Sequence, residues 1–320
     1  MRIRSMAAIA ALASVSLYGG QKKKDPNEIG DRDVSKGLNF YSIEQEMSLG
    51  RQLSAEIARQ AKVVEDPIVS EYINRVGQNL ARNSDVTFPV RFTLIEADDI
   101  NAFTLPGGFI YVNTGTFRLS DNEAELASVM AHELGHAAAR HATRQMTRGD
   151  LATLAQIPLA IGGGWAGLAA RQAANAAMPM AFFKFSRNFE TEADMLGLQY
   201  LWKAGYDPTA ALDMFERIES TERRQPGAVS KLFRSHPLTP DRIAKTQKNI
   251  EEMLPARKEY VLNTSEYEDV RARLQDLSQF AKPADSKSDV PVLRKAPSAS
   301  VDPGQPNDAG ASDRPTLKRH

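Results

Sequence analysis

The sequence contains no cysteine. This absence excludes disulfide scaffolds, thiolate zinc sites, iron–sulfur clusters and cysteine nucleophiles. An excess of charge is also missing, because 40 Lys and Arg residues balance 40 Asp and Glu residues. Domains that bind nucleic acid through overall charge are usually strongly basic, so no nucleic-acid partner is expected. Histidine is scarce, with five residues in 320, and these few positions limit where a metal site can be built.

The N-terminal residues 1–20 are predicted to be a signal peptide or a short N-terminal anchor. Arg2 and Arg4 precede the uncharged stretch Met6–Tyr18, which has the length of a signal-peptide core. An export signal is favoured, with a retained anchor as the alternative. Because the segment has no cysteine, lipid attachment has no acceptor. The expected location is therefore periplasmic or secreted, with peripheral membrane association only through an uncleaved N-terminal segment.

Two further segments differ in composition from the rest of the chain. Residues 282–320 are rich in Pro, Ser, Asp, Ala and Lys, a composition typical of a disordered tail. Residues 151–170 carry no charge, and this stretch of 20 residues is long enough for a transmembrane helix. Because this stretch contains Pro158 and three consecutive glycines, a buried or mobile hairpin over the functional site is preferred. The folded domain is expected within residues 39–280.

The folded domain is predicted to be α+β, mainly helical, with one small sheet. Ser42 with Gln45 forms a capping-box signal, and Asp66 before Pro67 opens a second helix. Ser120 with Glu123 is expected to open a helix that runs to about Gln145. Strands are predicted at 89–96, 102–105 and 109–113, and further helices at 185–204, after Asp207, after Thr239 and at 266–277.

The most specific motif is His132-Glu133-Leu134-Gly135-His136 on the third predicted helix. Residues four apart share a helix face, so His132 and His136 can bind one metal ion. Glu133 is the expected general base for a hydrolytic reaction. A catalytic zinc needs a third protein ligand and an open position. His141 is expected to point away from the metal, because nine residues on one helix turn through half a circle.

The third ligand is expected on the later helix that carries Glu190-Thr191-Glu192-Ala193-Asp194. Glu190 and Asp194 are four residues apart and share a face, with small residues beside them. Glu190 is the preferred ligand, and Glu192 remains the alternative. Asp194 is expected to accept a hydrogen bond from the outer nitrogen of a ligand histidine, which fixes the orientation of that ring.

Together these motifs resemble the zinc metallopeptidases of the HtpX and CAAX-prenyl-protease type, which are gluzincins. The soluble, exported bacterial branch is the most similar. Further matching motifs are Asn101-Ala102-Phe103-Thr104-Leu105-Pro106-Gly107-Gly108, Ser186-Arg187 and His236-Pro237-Leu238. The resemblance implies a zincin-like fold, one Zn²⁺ per chain, and Glu190 as the third ligand. It also implies that His236 approaches the zinc, as an extra ligand of a latent enzyme or as a transition-state stabiliser, although a purely structural role in its loop remains an alternative.

The resemblance implies a zinc endopeptidase that acts on unfolded or misassembled proteins in envelope quality control. The strand and turn containing Asn101, Ala102, Phe103, Gly107 and Gly108 are expected to pair with an extended substrate. Arg187 is expected to support the site. The alternative is a latent zinc protein that serves mainly as a chaperone or adaptor, but the presence of Glu133 favours the enzyme. The sequence carries no indication of the oligomeric state.

Overall fold

The computed structural model describes residues 24–156, 185–224 and 236–281. The predicted signal or anchor (1–20), most of the uncharged segment (157–170) and the predicted tail (282–320) lie outside the described residues. Among the described helices, none combines the length and the apolar character required to cross a membrane.

Two helices precede the sheet and begin where their capping signals predict. Helix α1 spans Ile43–Gln60, and the Ser42 and Gln45 side chains each accept a hydrogen bond from the other residue's backbone N–H. Helix α2 spans Pro67–Arg82, and the Asp66 side chain accepts from the Val69 N–H. The apolar stripe of α2 is buried in the main core, as the 3.6-residue period predicts.

The described sheet has three strands, β1 (Arg91–Ile95), β2 (Ala102–Leu105) and β3 (Phe109–Asn113), in the order β1-β3-β2. Strand β3 runs parallel to β1 and antiparallel to β2. The β2–β3 turn contains Gly107 and Gly108, with φ of 73° and 85°. Those left-handed conformations are the reason that the turn uses glycine. The predicted α+β class with a small sheet is confirmed.

After the sheet, α3 (Thr114–Leu119) leads into α4 (Glu123–Ala138). Helix α4 carries the His-Glu-x-x-His motif, and 14 of its 16 residues are buried. The N-cap is Asn122, whose side chain accepts from the Glu125 N–H, rather than the predicted Ser120. The burial of nearly all residues of α4 shows that it is the central helix of the domain rather than a surface helix.

The prediction that this helix continues to Gln145 is wrong. Helix α4 ends at Ala138, and a separate helix, α5 (His141–Gln156), follows. Between them Arg140 adopts a left-handed conformation with φ of 54°. Its guanidinium donates from Nε to Glu46 Oε2 (2.6 Å) and from Nη2 to the Tyr41 carbonyl (2.7 Å), and these contacts hold the break.

Four helices complete the described fold: α6 (Arg187–Lys203), α7 (Ala210–Arg224), α8 (Pro240–Met253) and α9 (Ser265–Ala281). Helix α6 begins after the N-cap Ser186, two residues later than predicted, and ends near the predicted Gly205. Helix α4 packs against α6 along most of its length, and α7 covers another side of α4. This packing brings together, at one site, residues that are about 50 positions apart in the sequence.

The contact between α4 and α6 is close because glycine lies at the crossing on both helices. A Cβ atom on Gly135 would lie 2.8 Å from the Ala193 carbonyl oxygen. A Cβ atom on Gly197 would lie 2.9 Å from the His132 backbone nitrogen. Real Cβ atoms do not approach backbone atoms so closely, so each glycine is required for this separation of the helices.

Substitution of Gly197 by Ala is expected to push α6 away from His132. The free energy of unfolding should fall by ~1–3 kcal/mol, the usual cost of overpacking. Zinc affinity should fall as well. Gly149→Ala is the matched control, because Gly149 is exposed on α5 with no atom within 4 Å of its added Cβ. That control should be neutral or stabilising by up to ~1 kcal/mol. Thermal unfolding and zinc titration of both variants test the account, and equal behaviour of the two would contradict it.

Candidate active site

Four side chains from three separate parts of the fold converge on one point. His132 and His136 come from α4, Glu190 from the first turn of α6, and His236 from the loop before α8. One nitrogen or oxygen atom of each lies within 4.8 Å of the others. The Nε2 atoms of His132 and His136 are 3.1 Å apart, and the Glu190 carboxylate lies 3.5–3.6 Å from them. We call these four residues the ligand group.

The chemistry of the ligand group fits a zinc ion. Imidazole nitrogen and carboxylate oxygen are among the usual ligands of Zn²⁺, which binds four donors in a tetrahedron. His132 and His136 both direct Nε2 inward, and His236 directs Nδ1 toward Glu190 (3.1 Å) and toward His132 Nε2 (3.4 Å). Lone pairs directed at one small volume repel one another. The arrangement is therefore stable only when a cation or shared protons lie between these atoms. The sequence-derived pair of histidines and Glu190 are thus brought together, with His236 beside them.

The outer nitrogen of His132 contacts a buried carboxylate. His132 Nδ1 lies 3.0 Å from Asp194 Oδ1, the contact that the spacing of Glu190 and Asp194 predicts. Asp194 in turn accepts two hydrogen bonds from Arg242 on α8, both of 2.7 Å. Arg242 Nη1 also lies 3.1 Å from Glu190 Oε2. One arginine therefore contacts the carboxylates of both Glu190 and Asp194.

The buried charges shift the pKa values of these groups in opposite directions. Burial alone lowers the pKa of His132, but hydrogen bonds to Asp194 and Glu190 outweigh burial and raise it to about 10. Burial raises the pKa of Asp194, but Arg242 and His132 outweigh it, so the net shift is downward. Burial lowers the pKa of His136 well below its ordinary value. Of the two histidines of the motif, His132 therefore holds a proton more strongly than His136.

Glu133 is buried one residue from His132 and has its own partner on the sheet. Thr104 Oγ1 in β2 lies 2.8 Å from Glu133 Oε2 and 2.9 Å from the Glu133 carbonyl oxygen. The other carboxylate oxygen, Oε1, lies 3.4 Å from His236 Nε2. A role for Thr104 was not predicted from the sequence. Its signal was a single hydroxyl within the apolar strand Ala102–Leu105.

His141 does not point away from the site, so that prediction is wrong. Because α4 ends before it, His141 starts a new helix and turns back toward His136, with 2.9 Å between the two Nδ1 atoms. Its Nε2 lies 3.1 Å from Glu192 Oε2, and burial lowers its pKa to about 4. Glu192 is the alternative third ligand of the sequence analysis. It contacts His141 and Arg144 and is outside the ligand group.

Arg187 is exposed at the first position of α6, whereas the arginine in contact with Glu190 and Asp194 is Arg242. Arg242 was not predicted from the sequence. A signal was present, because Arg242 lies in the first turn of a helix opened by Thr239 and Pro240. A cation is unfavourable at that end of a helix dipole unless a buried anion compensates it. Here the buried anions are Asp194 and Glu190.

The predicted substrate strand lies beside α4 at the edge of the described sheet. Asn101, Ala102 and Phe103 are all buried in this conformation, as are Gly107 and Gly108 in the turn. The Gly107 N–H lies 3.3 Å from Glu46 Oε1, and this contact connects the turn to the carboxylate that also binds Arg140. A substrate that pairs with β2 therefore requires a more open conformation than this one.

A cavity of about 60 Å³ extends from His132 and Glu133 between α4, α6 and α7. Its walls are mainly apolar and include Val129, Met214 and Ile218. A cavity of this volume has room for more than one water molecule. Its apolar walls suit an aliphatic or aromatic side chain better than a charged one.

An α+β fold with two histidines on one helix and a carboxylate on a later helix is the architecture of a zinc metallopeptidase. The model for "Peptidase family M48" matches residues 67–250, more than half of the chain. The chain therefore belongs to peptidase family M48, whose members are zinc metallopeptidases. The resemblance inferred from the motifs is confirmed.

Similar curated proteins carry protease names. The chain is 34% identical over 233 residues to the beta-barrel assembly-enhancing protease of Escherichia coli (strain K12), covering 70% of this chain and 47% of the relative. It is 28% identical to metalloprotease LoiP of the same organism, covering 76% of this chain and 94% of that protein. It is 36% identical to the mitochondrial metalloendopeptidase OMA1 of Schizosaccharomyces pombe, covering 48% of this chain and 44% of OMA1. The chain spans about half of the length of the beta-barrel assembly-enhancing proteases that it matches.

Two arginine substitutions test whether Arg242, found in the structure, or Arg187, expected from the sequence, supports the site. Arg242→Ala leaves Asp194 and Glu190 buried without their guanidinium, a change that typically costs ~3–5 kcal/mol. It should lower both stability and zinc affinity. Arg187→Ala removes an exposed side chain and should change neither by more than ~0.5 kcal/mol. Urea unfolding and zinc titration measure both effects. A larger loss with Arg187→Ala than with Arg242→Ala would contradict this assignment.

Proposed function

We propose that the chain is an exported zinc endopeptidase that hydrolyses peptide bonds of unfolded or misassembled envelope proteins. The observation that carries this proposal is the buried Glu133 carboxylate next to the ligand group, oriented by Thr104. A carboxylate at this position has the geometry of a general base and is not needed to hold a metal ion. Membership of a peptidase family supports the same reaction class.

The residues have separate tasks in this proposal. His132, His136 and Glu190 hold one Zn²⁺, which when bound acts as a Lewis acid toward water and the scissile carbonyl. Glu133 accepts the proton of the attacking water and transfers it to the leaving amine. Thr104 Oγ1 contacts Oε2 of Glu133, and the other carboxylate oxygen, Oε1, faces His236 beside the ligand group. Asp194 and Arg242 keep His132 and Glu190 oriented.

The substrate class follows from the surfaces next to Glu133. Strand β2 is an edge strand of the described sheet, and an extended chain can pair with such an edge through main-chain hydrogen bonds, whatever its sequence. The apolar cavity adds a preference for one large apolar side chain. Unfolded proteins supply both an extended backbone and exposed apolar residues. Folded proteins keep these features inside.

The envelope location is supported by the similarity to a beta-barrel assembly-enhancing protease. A beta-barrel assembly-enhancing protease is 34% identical to this chain, and its name connects it with the assembly of β-barrel proteins. The predicted export signal in residues 1–20 agrees with such a location. We therefore propose the periplasm as the compartment, with misassembled proteins of the envelope as substrates.

Substitution of Glu133 by Gln tests the reaction. The amide keeps the shape of the side chain but cannot accept the proton, so cleavage of unfolded casein should fall at least ~100-fold, the low end for loss of a general base. Zinc content should stay at one per chain, because Glu133 is outside the ligand group. Casein cleavage and metal analysis are the measurements.

His132→Ala is the companion variant, which should lose both zinc and cleavage. An added chelator should have the same effect on the wild type, with recovery when zinc is restored. Equal cleavage by the wild type and Glu133→Gln would refute the proposed role of Glu133.

A second function, that of a latent zinc protein acting mainly as a chaperone or adaptor, is favoured by the position of His236. His236 lies 3.1 Å from Glu190 and 3.4 Å from Glu133, in the space that water and the scissile carbonyl need. The burial of strand β2 likewise limits the access of a substrate to the site. These two observations support a conformation in which the enzyme is closed. We propose latency as a state of the protease rather than as its sole role.

Substitution of His236 by Ala distinguishes these possibilities. If His236 blocks the site, its removal should raise casein cleavage several-fold at unchanged zinc content. The control is Arg187→Ala, which removes an exposed side chain that is outside both the ligand group and the cavity. Loss of cleavage in His236→Ala would instead assign His236 to transition-state stabilisation. Casein binding without cleavage by the wild type and by His236→Ala would favour the chaperone function.

A further inference from the structure

His136 has a partner on its outer side that the proposed mechanism does not use. Its Nε2 faces the ligand group, 3.1 Å from His132 Nε2, so its Nδ1 faces outward. There it meets His141 Nδ1 at 2.9 Å, and His141 Nε2 lies 3.1 Å from Glu192 Oε2. Arg144 Nη1 lies 3.3 Å from the same oxygen of Glu192. We call His141 and Glu192 the outer pair.

Hydrogen-bond complementarity fixes the direction of every link in this chain. If His136 binds zinc through Nε2, its remaining proton is on Nδ1, and that N–H is a donor. His141 Nδ1 must then accept, so the single proton of a neutral His141 ring is on Nε2. That N–H can donate only to an acceptor, and Glu192 Oε2 is at the correct distance. Arg144 then contacts the carboxylate and balances its charge.

The contacts of His136 with the outer pair resemble the contacts that His132 makes on its own outer side. His132 contacts Asp194, and Asp194 is paired with Arg242. His136 reaches a carboxylate–arginine pair of the same kind, but only through an inserted imidazole. Outer partners of this kind fix the tautomer and ring direction of metal-bound histidine, and their loss typically weakens metal binding.

The packing around His141 leaves it little freedom to rotate. Its side chain is fully buried and its ring stacks on Phe189, with 4.3 Å between the ring centres. On the other side of the site, Phe185 stacks on the His136 ring at 4.1 Å. Both imidazoles are therefore held in the plane that the hydrogen bonds require. An aromatic ring without nitrogen would fill the same space, which allows packing and hydrogen bonding to be tested separately.

We propose that His141 and Glu192 are positioning residues for His136 that hold its proton on Nδ1 and thereby set the zinc affinity of the site. This inference rests on the proposed role of His136 as a zinc ligand. The two histidines of the motif are then supported unequally, His132 by a charged carboxylate and His136 by a neutral ring. Neither member of the outer pair touches the reacting atoms.

Two substitutions of His141 in the full-length protein test the proposal through zinc affinity, measured by competition with a chelator. His141→Phe keeps the ring volume and removes both nitrogens, so the affinity should fall ~10–100-fold. His141→Asn keeps an acceptor near the position of Nδ1 and should recover part of that loss. Glu192→Met removes the final acceptor and should cause a smaller loss than His141→Phe.

Tyr206→Phe is the matched control, because it removes a buried hydrogen bond, from Tyr206 to Glu123 (2.7 Å), at the N-terminal end of α4, away from the ligand group. Its zinc affinity should equal that of the wild type. In the zinc-loaded wild type, nitrogen-15 NMR should show His141 neutral with its proton on Nε2, a signature that packing alone does not require.

Wild-type zinc affinity in His141→Phe, or a proton on Nδ1 of His141, would overturn the proposal. Such a result, together with loss of zinc in His136→Ala, would leave the proposed ligand set intact. A wild type that binds no zinc would overturn both. A His141→Asn affinity no better than that of His141→Phe would also count against the hydrogen bond.

Discussion

The site depends on the close crossing of helices α4 and α6. Gly135 lies against the Ala193 backbone and Gly197 against the His132 backbone, so no side chain separates the two helices. This separation brings the histidines of one helix within reach of the carboxylates of the other. A wider crossing would leave Glu190 too far from the imidazole nitrogens to share a metal ion with them. The close packing at Gly135, Ala193 and Gly197 is therefore a requirement for this site.

The same crossing buries Asp194 and Glu190 and half-buries Glu192, and each of these three carboxylates has an arginine partner from outside the helix pair. Asp194 and Glu190 are paired with Arg242, and Glu192 with Arg144. Buried ions are costly unless they are paired and hydrogen-bonded, so these arginines are part of the site even though they touch no reacting atom. The polar network contacts the ligand group, while mainly apolar residues of α4, α6 and α7 line the cavity beside Glu133.

Local signals in the sequence predicted the helices, the strands and the spacing of the histidines. Long-range contacts determine where one helix ends and which arginine pairs with the buried carboxylates. The Ser42 capping box, the period of α2 and the His132–His136 spacing depend on neighbouring residues, and the structure agrees with each. The helix break at Arg140 depends on Glu46, 94 residues earlier, and Arg242 is recruited by Asp194 from 48 residues away. No local pattern contains such information. The error about His141 follows directly from the missed break.

The central claim is that one zinc ion is bound by His132, His136 and Glu190 in this crossing. X-ray absorption at the zinc edge, combined with metal analysis of the full-length protein, tests it most directly. We expect one zinc per chain, bound only by nitrogen and oxygen, with the scattering of two or three imidazoles. His136→Ala should lose that ion or at least one imidazole contribution. Stoichiometric zinc with an unchanged spectrum in His136→Ala would contradict the account.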